Sequence, residues 1–79
     1  MLHPDEVRNK LVQAFPNSEV LVEDMTGTMD HFQVLVISRL FEGKTMVEQH
    51  QLVYKALGDL MKEAIHALAL KTYTPEAWK

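Results

Sequence analysis

The residue pattern predicts an α+β domain with element order α-β-β-α-α-β-α: a three-stranded mixed sheet with helices packed on one face. Three observations predict it. Two runs rich in β-formers, at 19–24 and 31–38, are joined by a connection of only a few residues, so they must pair antiparallel. A stretch of helical periodicity follows, from Met46 to Ala64. A third β-run occupies 67–73, and a helical crossover makes it parallel to the second, with a right-handed connection expected.

Each element has its own local reason. Pro4 suits the first helical position, where its missing N–H is no loss, and Asp5 and Glu6 complement the positive end of the helix dipole. Val7, Leu11, Ala14 and Phe15 then fall on one helical face, and Pro16-Asn17-Ser18 stops the helix. Glu19–Asp24 reads as the first strand. Met25 to Asp30, with Thr26-Gly27-Thr28 inside it, is a flexible connection. His31–Ser38 is nearly all apolar, which places it centrally in the sheet. Phe41-Glu42-Gly43-Lys44 is a turn, and Thr45 with Glu48 has capping-box spacing. Met46, Val53, Leu57, Leu60 and Ala64 mark the stripe of the next helix, with Val47, Tyr54 and Met61 beside it. Gly58 divides it, and Asp59 caps the second piece. In the third strand Leu68 and Leu70 face one side, and Ala67, Ala69 and Lys71 the other. Thr74-Pro75-Glu76 opens a final helical turn that carries Trp78.

Composition narrows the function classes. Seventy-nine residues suffice for a single domain, 1–79. An apolar fraction of 47% and a charged fraction of 24% are ordinary globular usage. The chain has no cysteine, which excludes a disulfide framework, a thiol nucleophile and a cysteine-only metal site supplied by this chain. No apolar run reaches the roughly 18 residues of a membrane span, and the first residues lack the basic and apolar regions of a signal peptide. No membrane partner is expected, and the expected location is cytoplasmic. The formal charge is −3, whereas dedicated duplex-DNA binders carry a basic surplus.

Little in the sequence supports catalysis, and no enzyme activity is expected. The three glycines at 27, 43 and 58 form no phosphate loop. Glu23 and Asp24 are neighbours on a strand and point to opposite faces. The four histidines carry what chemistry there is. His3 belongs to the helix start. His50 lies on the apolar stripe, where a packed, hydrogen-bonded side chain is expected. His31 begins the second strand. His66 stands at the start of the third, on the parity of Leu68 and Leu70, where a ring can pack on the core rim and still present a nitrogen. Imidazole is well suited to metal ligation at neutral pH.

Four segments, in order, resemble the BolA family: His31-Phe32-Gln33-Val34-Leu35-Val36, Phe41-Glu42-Gly43-Lys44, Gln49-His50-Gln51-Leu52-Val53-Tyr54, and His66-Ala67-Leu68-Ala69-Leu70-Lys71-Thr72-Tyr73-Thr74-Pro75-Glu76-Ala77-Trp78. The match spans essentially the whole chain, and the His-Ala-Leu strand followed by Thr-Pro-x-x-Trp is its most specific part. The resemblance implies a class II KH-like (BolA-like) fold. It also implies a non-enzymatic adaptor that pairs with a monothiol glutaredoxin of the Cys-Gly-Phe-Ser type. The pair shares a glutathione-ligated [2Fe–2S] cluster in iron–sulfur trafficking or iron regulation, with none bound by the isolated chain. The family's cluster-binding histidine is His66 here. Many relatives carry a second ligand, Cys or His, in the loop between the first two strands. His31 is the candidate for that role, although it stands later than the usual position.

The alternative is a KH-like nucleic-acid-binding transcriptional regulator, with Lys44, His50 and Lys55 as candidate contacts. Relatives proposed to bind DNA often read Arg-His-Arg where this chain has Gln49-His50-Gln51, and the KH Gly-x-x-Gly loop is replaced by Leu57-Gly58-Asp59-Leu60. Nucleic-acid binding is therefore expected to be weak.

Overall fold

His3 starts the first helix with its own side chain. Its Nδ1 accepts from the Asp5 N–H at 3.1 Å, and the Glu6 carboxylate accepts from the His3 N–H at 3.2 Å, a reciprocal cap of the first turn. The computed structural model describes residues 3–25, 27, 31–63 and 67–78. Helix α1 covers Pro4–Ala14, β1 Glu19–Asp24, β2 His31–Ile37, α2 Met46–Leu57, α3 Leu60–Glu63, β3 Ala67–Tyr73 and α4 Pro75–Trp78. Of the expected positions, Ala64 and His66 lie outside the described residues, as do Thr26, Thr28 and Asp30 of the first connection.

The sheet order is β1-β2-β3. Strands β1 and β2 run antiparallel with Val20 opposite Val36, and β2 and β3 run parallel with Val34 opposite Leu70. This is the mixed, three-stranded arrangement that the pattern predicts. Alternation divides the sheet into two faces. Val20, Phe32, Val34, Val36 and Thr72 are buried beneath the helices, with Val22, Leu68 and Leu70 at their margin. Helix α1 closes this face over β1 with Val7 and Leu11, and α2 closes it over β3 with Val53 and Leu57. Just beyond α1, the Phe15 ring meets that of Phe41 at a centroid distance of 5.3 Å. The opposite face carries Leu21, Leu35, Ile37 and Tyr73, and α4 lays Trp78 against it, with the Tyr73 and Trp78 rings 5.1 Å apart.

Three local features depart from the sequence reading. Strand β2 ends at Ile37, and Ser38 caps a 3₁₀ turn over Arg39–Phe41 by accepting from the Leu40 N–H at 3.1 Å. Ser38 is itself held by the Ser18 hydroxyl at 2.8 Å, a contact no local pattern announces. Secondly, Met46 is 55% exposed, so the apolar stripe of α2 does not begin there. Gln49 is buried in its stead, because its polar atoms have partners. The Thr72 hydroxyl donates to Gln49 Oε1 at 2.7 Å, and Gln49 Nε2 donates to the Lys44 carbonyl at 3.0 Å. Thirdly, the His50 ring stands edge-on to Tyr54, and its buried Nε2 has no hydrogen bond. The hydrogen bond expected there is not made at that atom among the described residues.

The Gln49–Thr72 bond ties α2 to β3. Thr72→Val is expected to cost about 1–3 kcal/mol, since it strands a buried amide oxygen. Adding Gln49→Leu should give a double variant less destabilised than the sum of the two single changes, because the pair is coupled. Urea melts of the three variants measure this; strict additivity would contradict it.

Helix α2 begins with the anticipated capping box. Glu48 N–H donates to Thr45 Oγ1 at 3.2 Å, and the Thr45 N–H donates to Glu48 Oε1 at 2.9 Å. The Thr45 backbone hydrogen bond, then the Thr45 hydroxyl, hold the Glu48 carboxyl below its ordinary value, with the Lys44 charge adding to them. A depressed folded value means stability present above the ordinary range and lost as pH falls through the folded value. Glu48→Gln is expected to flatten the acid limb of the stability–pH profile slightly. A variant profile that overlays the wild type below pH 5 would refute this. The helix ends at Gly58, whose φ of 54° lies in the left-handed region and whose N–H donates to the Tyr54 carbonyl at 2.9 Å.

Candidate functional site

Parallel pairing of β2 with β3 places His31 opposite Ala67, about 4.8 Å across one strand spacing. The start of β2, which carries His31, therefore lies beside the start of β3 at Ala67. His66 itself lies outside the described residues. His31 is half-buried, and its position alternates with Phe32, so it belongs to the sheet face away from α1 and α2. Its carbonyl accepts from the Met25 N–H at 2.8 Å, which closes the start of the β1–β2 connection. Asp24 takes part in the same closure by accepting from the Gly27 N–H at 3.1 Å.

Among the described residues, no group of three or more His, Cys, Asp or Glu side chains comes together to hold a metal ion.

Lys44, His50 and Lys55 do not form one patch. Lys44 and Lys55 are exposed and line a groove between α1 and α2, together with Leu40 and Leu52. His50 is half-buried beside Tyr54 and is not part of that lining. Gln49 is buried in the network with Thr72. Of the two glutamines that replace arginines in the Arg-His-Arg pattern, only Gln51 is exposed where a side chain can meet a phosphate. His3, the remaining histidine, is committed to the α1 cap. No described helix is long and apolar enough to cross a membrane.

Sequence reasoning missed the register that sets His31 beside Ala67 and the groove between the lysines. The first could be found by counting along two parallel strands. The second has no periodic signal, since Lys44 precedes α2 and Ala14 and Phe15 belong to the end of α1.

A family model described as BolA-like protein matches residues 8–77. The mouse BolA-like protein 2 is 42% identical over 79 residues, covering 98% of this chain and 91% of that protein. A Haemophilus influenzae protein named DNA-binding transcriptional regulator BolA is 36% identical over 66 residues, covering 84% of this chain and 64% of that one. The solved structure of a BolA protein homologue from Coxiella burnetii superposes with a TM-score of 0.82 at 37% identity, covering 99% of this chain and 97% of its own.

Proposed function

The chain belongs to the BolA-like protein family, and we propose that it works as a non-enzymatic adaptor for a monothiol glutaredoxin. The shared cargo is a glutathione-ligated [2Fe–2S] cluster, handled in iron–sulfur trafficking or iron regulation. The observation that carries the reading is the His66-Ala67-Leu68 segment followed by Thr74-Pro75-x-x-Trp78, all but Trp78 within the region 8–77 matched by the family model. His66 is the proposed ligand, and His31, opposite Ala67 across the β2–β3 pair, is the proposed second.

The chemistry of the chain agrees with sharing rather than owning a cluster. It has no cysteine, so thiolate must come from the glutaredoxin and glutathione. Imidazoles can replace thiolates on one iron of a [2Fe–2S] centre, raising its potential. Ligands of this kind release metal when they protonate, so the cargo is held loosely enough to pass on.

The test is complex formation. The full chain, a monothiol glutaredoxin, glutathione, ferrous iron and sulfide should give a one-to-one heterodimer by native mass spectrometry, dependent on the cluster. A second reading, a nucleic-acid-binding regulator in the cytoplasm, is favoured by the name of the Haemophilus influenzae relative. Salt separates the two: phosphate-driven association weakens steeply as salt rises.

A further inference from the structure

A second surface has no role in the adaptor reading above and stands independently of it, although its two lysines are candidate contacts of the nucleic-acid reading. The end of α1 (Ala14 and Phe15), the 3₁₀ turn (Leu40) and one side of α2 (Leu52 and Ala56) enclose an apolar groove of about 480 Å³. Leu40 is 49% exposed at its edge. The charged residues that line the groove are both lysines, Lys44 and Lys55. Neither ammonium group has an ion-pair partner among the described residues. Glu48 stands near Lys44, but its carboxylate is held on the Thr45 N–H at 2.9 Å.

The two lysines bracket the groove, one before the first turn of α2 and one in its last turn. Their separation along the helix is roughly 15 Å, from the rise of 1.5 Å per residue. A ligand with one carboxylate, such as a fatty acid, satisfies one cation and leaves the other idle. A segment with acids at both ends and apolar side chains between them satisfies both and fills the floor. We propose that this groove docks an acidic, leucine-bearing segment of a partner protein. The groove flanks Leu40, just past the end of β2, whereas His31 begins that strand. About 20 Å of strand separates the two ends, so an occupant leaves the His31 end open.

The probe is a labelled 12-residue helical peptide with leucines along one face and glutamates at both ends, titrated into the full chain. Amide chemical-shift changes are expected to concentrate at Ala14, Leu40, Leu52 and Ala56, with micromolar to sub-millimolar affinity. Lys44→Glu with Lys55→Glu should weaken binding at least tenfold, as should Leu40→Glu, with far-UV circular dichroism confirming that each variant is folded. A peptide with glutamine for glutamate should bind at least tenfold more weakly, and one with lysine not at all. Glutamine and glutamate peptides of equal affinity would overturn the proposal, as would shift changes centred elsewhere or no binding at millimolar peptide. Decanoate binding as tightly as the peptide would overturn the choice of a protein segment. Competition by duplex DNA for the same amides at physiological salt would assign the lysines to phosphate instead.

Discussion

His66→Ala is expected to leave a folded protein that no longer alters the cluster of its glutaredoxin partner. In the wild-type mixture, the heterodimer should give visible absorption and circular dichroism distinct from those of the glutaredoxin homodimer, because an imidazole replaces a thiolate on one iron. Without the ring nitrogen that difference should vanish. Folding should survive, since a histidine at a strand start is expected to bury less apolar surface than a core leucine. His31→Ala is the internal comparison. A similar spectral loss makes His31 the second ligand, and an unchanged spectrum removes it from the ligand set. A folded His66→Ala protein with the wild-type heterodimer spectrum would show that His66 is not the ligand.

Phe41→Ala should bring the protein close to unfolding. Phe41 is fully buried and packs on Phe15 at 5.3 Å, where the 3₁₀ turn meets the end of α1. Large aromatic truncations in a core cost about 3–5 kcal/mol. A chain of 79 residues has about 4–12 kcal/mol in all, at the usual stability per residue. Leu21→Ala, at a site 53% exposed on the other face of the sheet, is the control and should cost under about 1 kcal/mol. Urea denaturation compares them. Equal midpoints for the two variants would mean that Phe41 does not anchor the core.

The elements themselves were legible because each has a local cause. Alternation in β2 separates Phe32, Val34 and Val36 from Gln33 and Leu35, and the capping box of Thr45 and Glu48 fixes where α2 begins. What the sequence hid is non-local. β2 ends at Ile37, where Ser38 caps the 3₁₀ turn, and the hydroxyl of Ser38 is met by that of Ser18, far along the chain. Helical period marks Met46 as part of a stripe, but only tertiary structure decides how far that stripe is covered. Met46 stays exposed, while Gln49 is buried through its bonds to Thr72 and the Lys44 carbonyl.

The candidate site divides the same way. A histidine at a strand start has no physical signature of its own, so the ligand role of His66 is implied only by the resemblance to the BolA family that the His-Ala-Leu and Thr-Pro-x-x-Trp segments carry. That His31 lies opposite Ala67 follows from parallel register, which the pattern predicts only once the crossover is recognised. The lysine-flanked groove needs α1, the 3₁₀ turn and α2 together. No single stretch of sequence contains it.

The most direct measurement is visible circular dichroism of the reconstituted mixture: this chain, a monothiol glutaredoxin, glutathione, ferrous iron and sulfide. The account predicts no stable cluster on this chain alone. With the glutaredoxin it predicts a one-to-one complex whose spectrum differs from the glutaredoxin homodimer's and reverts to it with His66→Ala. A spectrum identical to the homodimer's with this chain unassociated, or a stable cluster formed by this chain without a thiol-bearing partner, would contradict it.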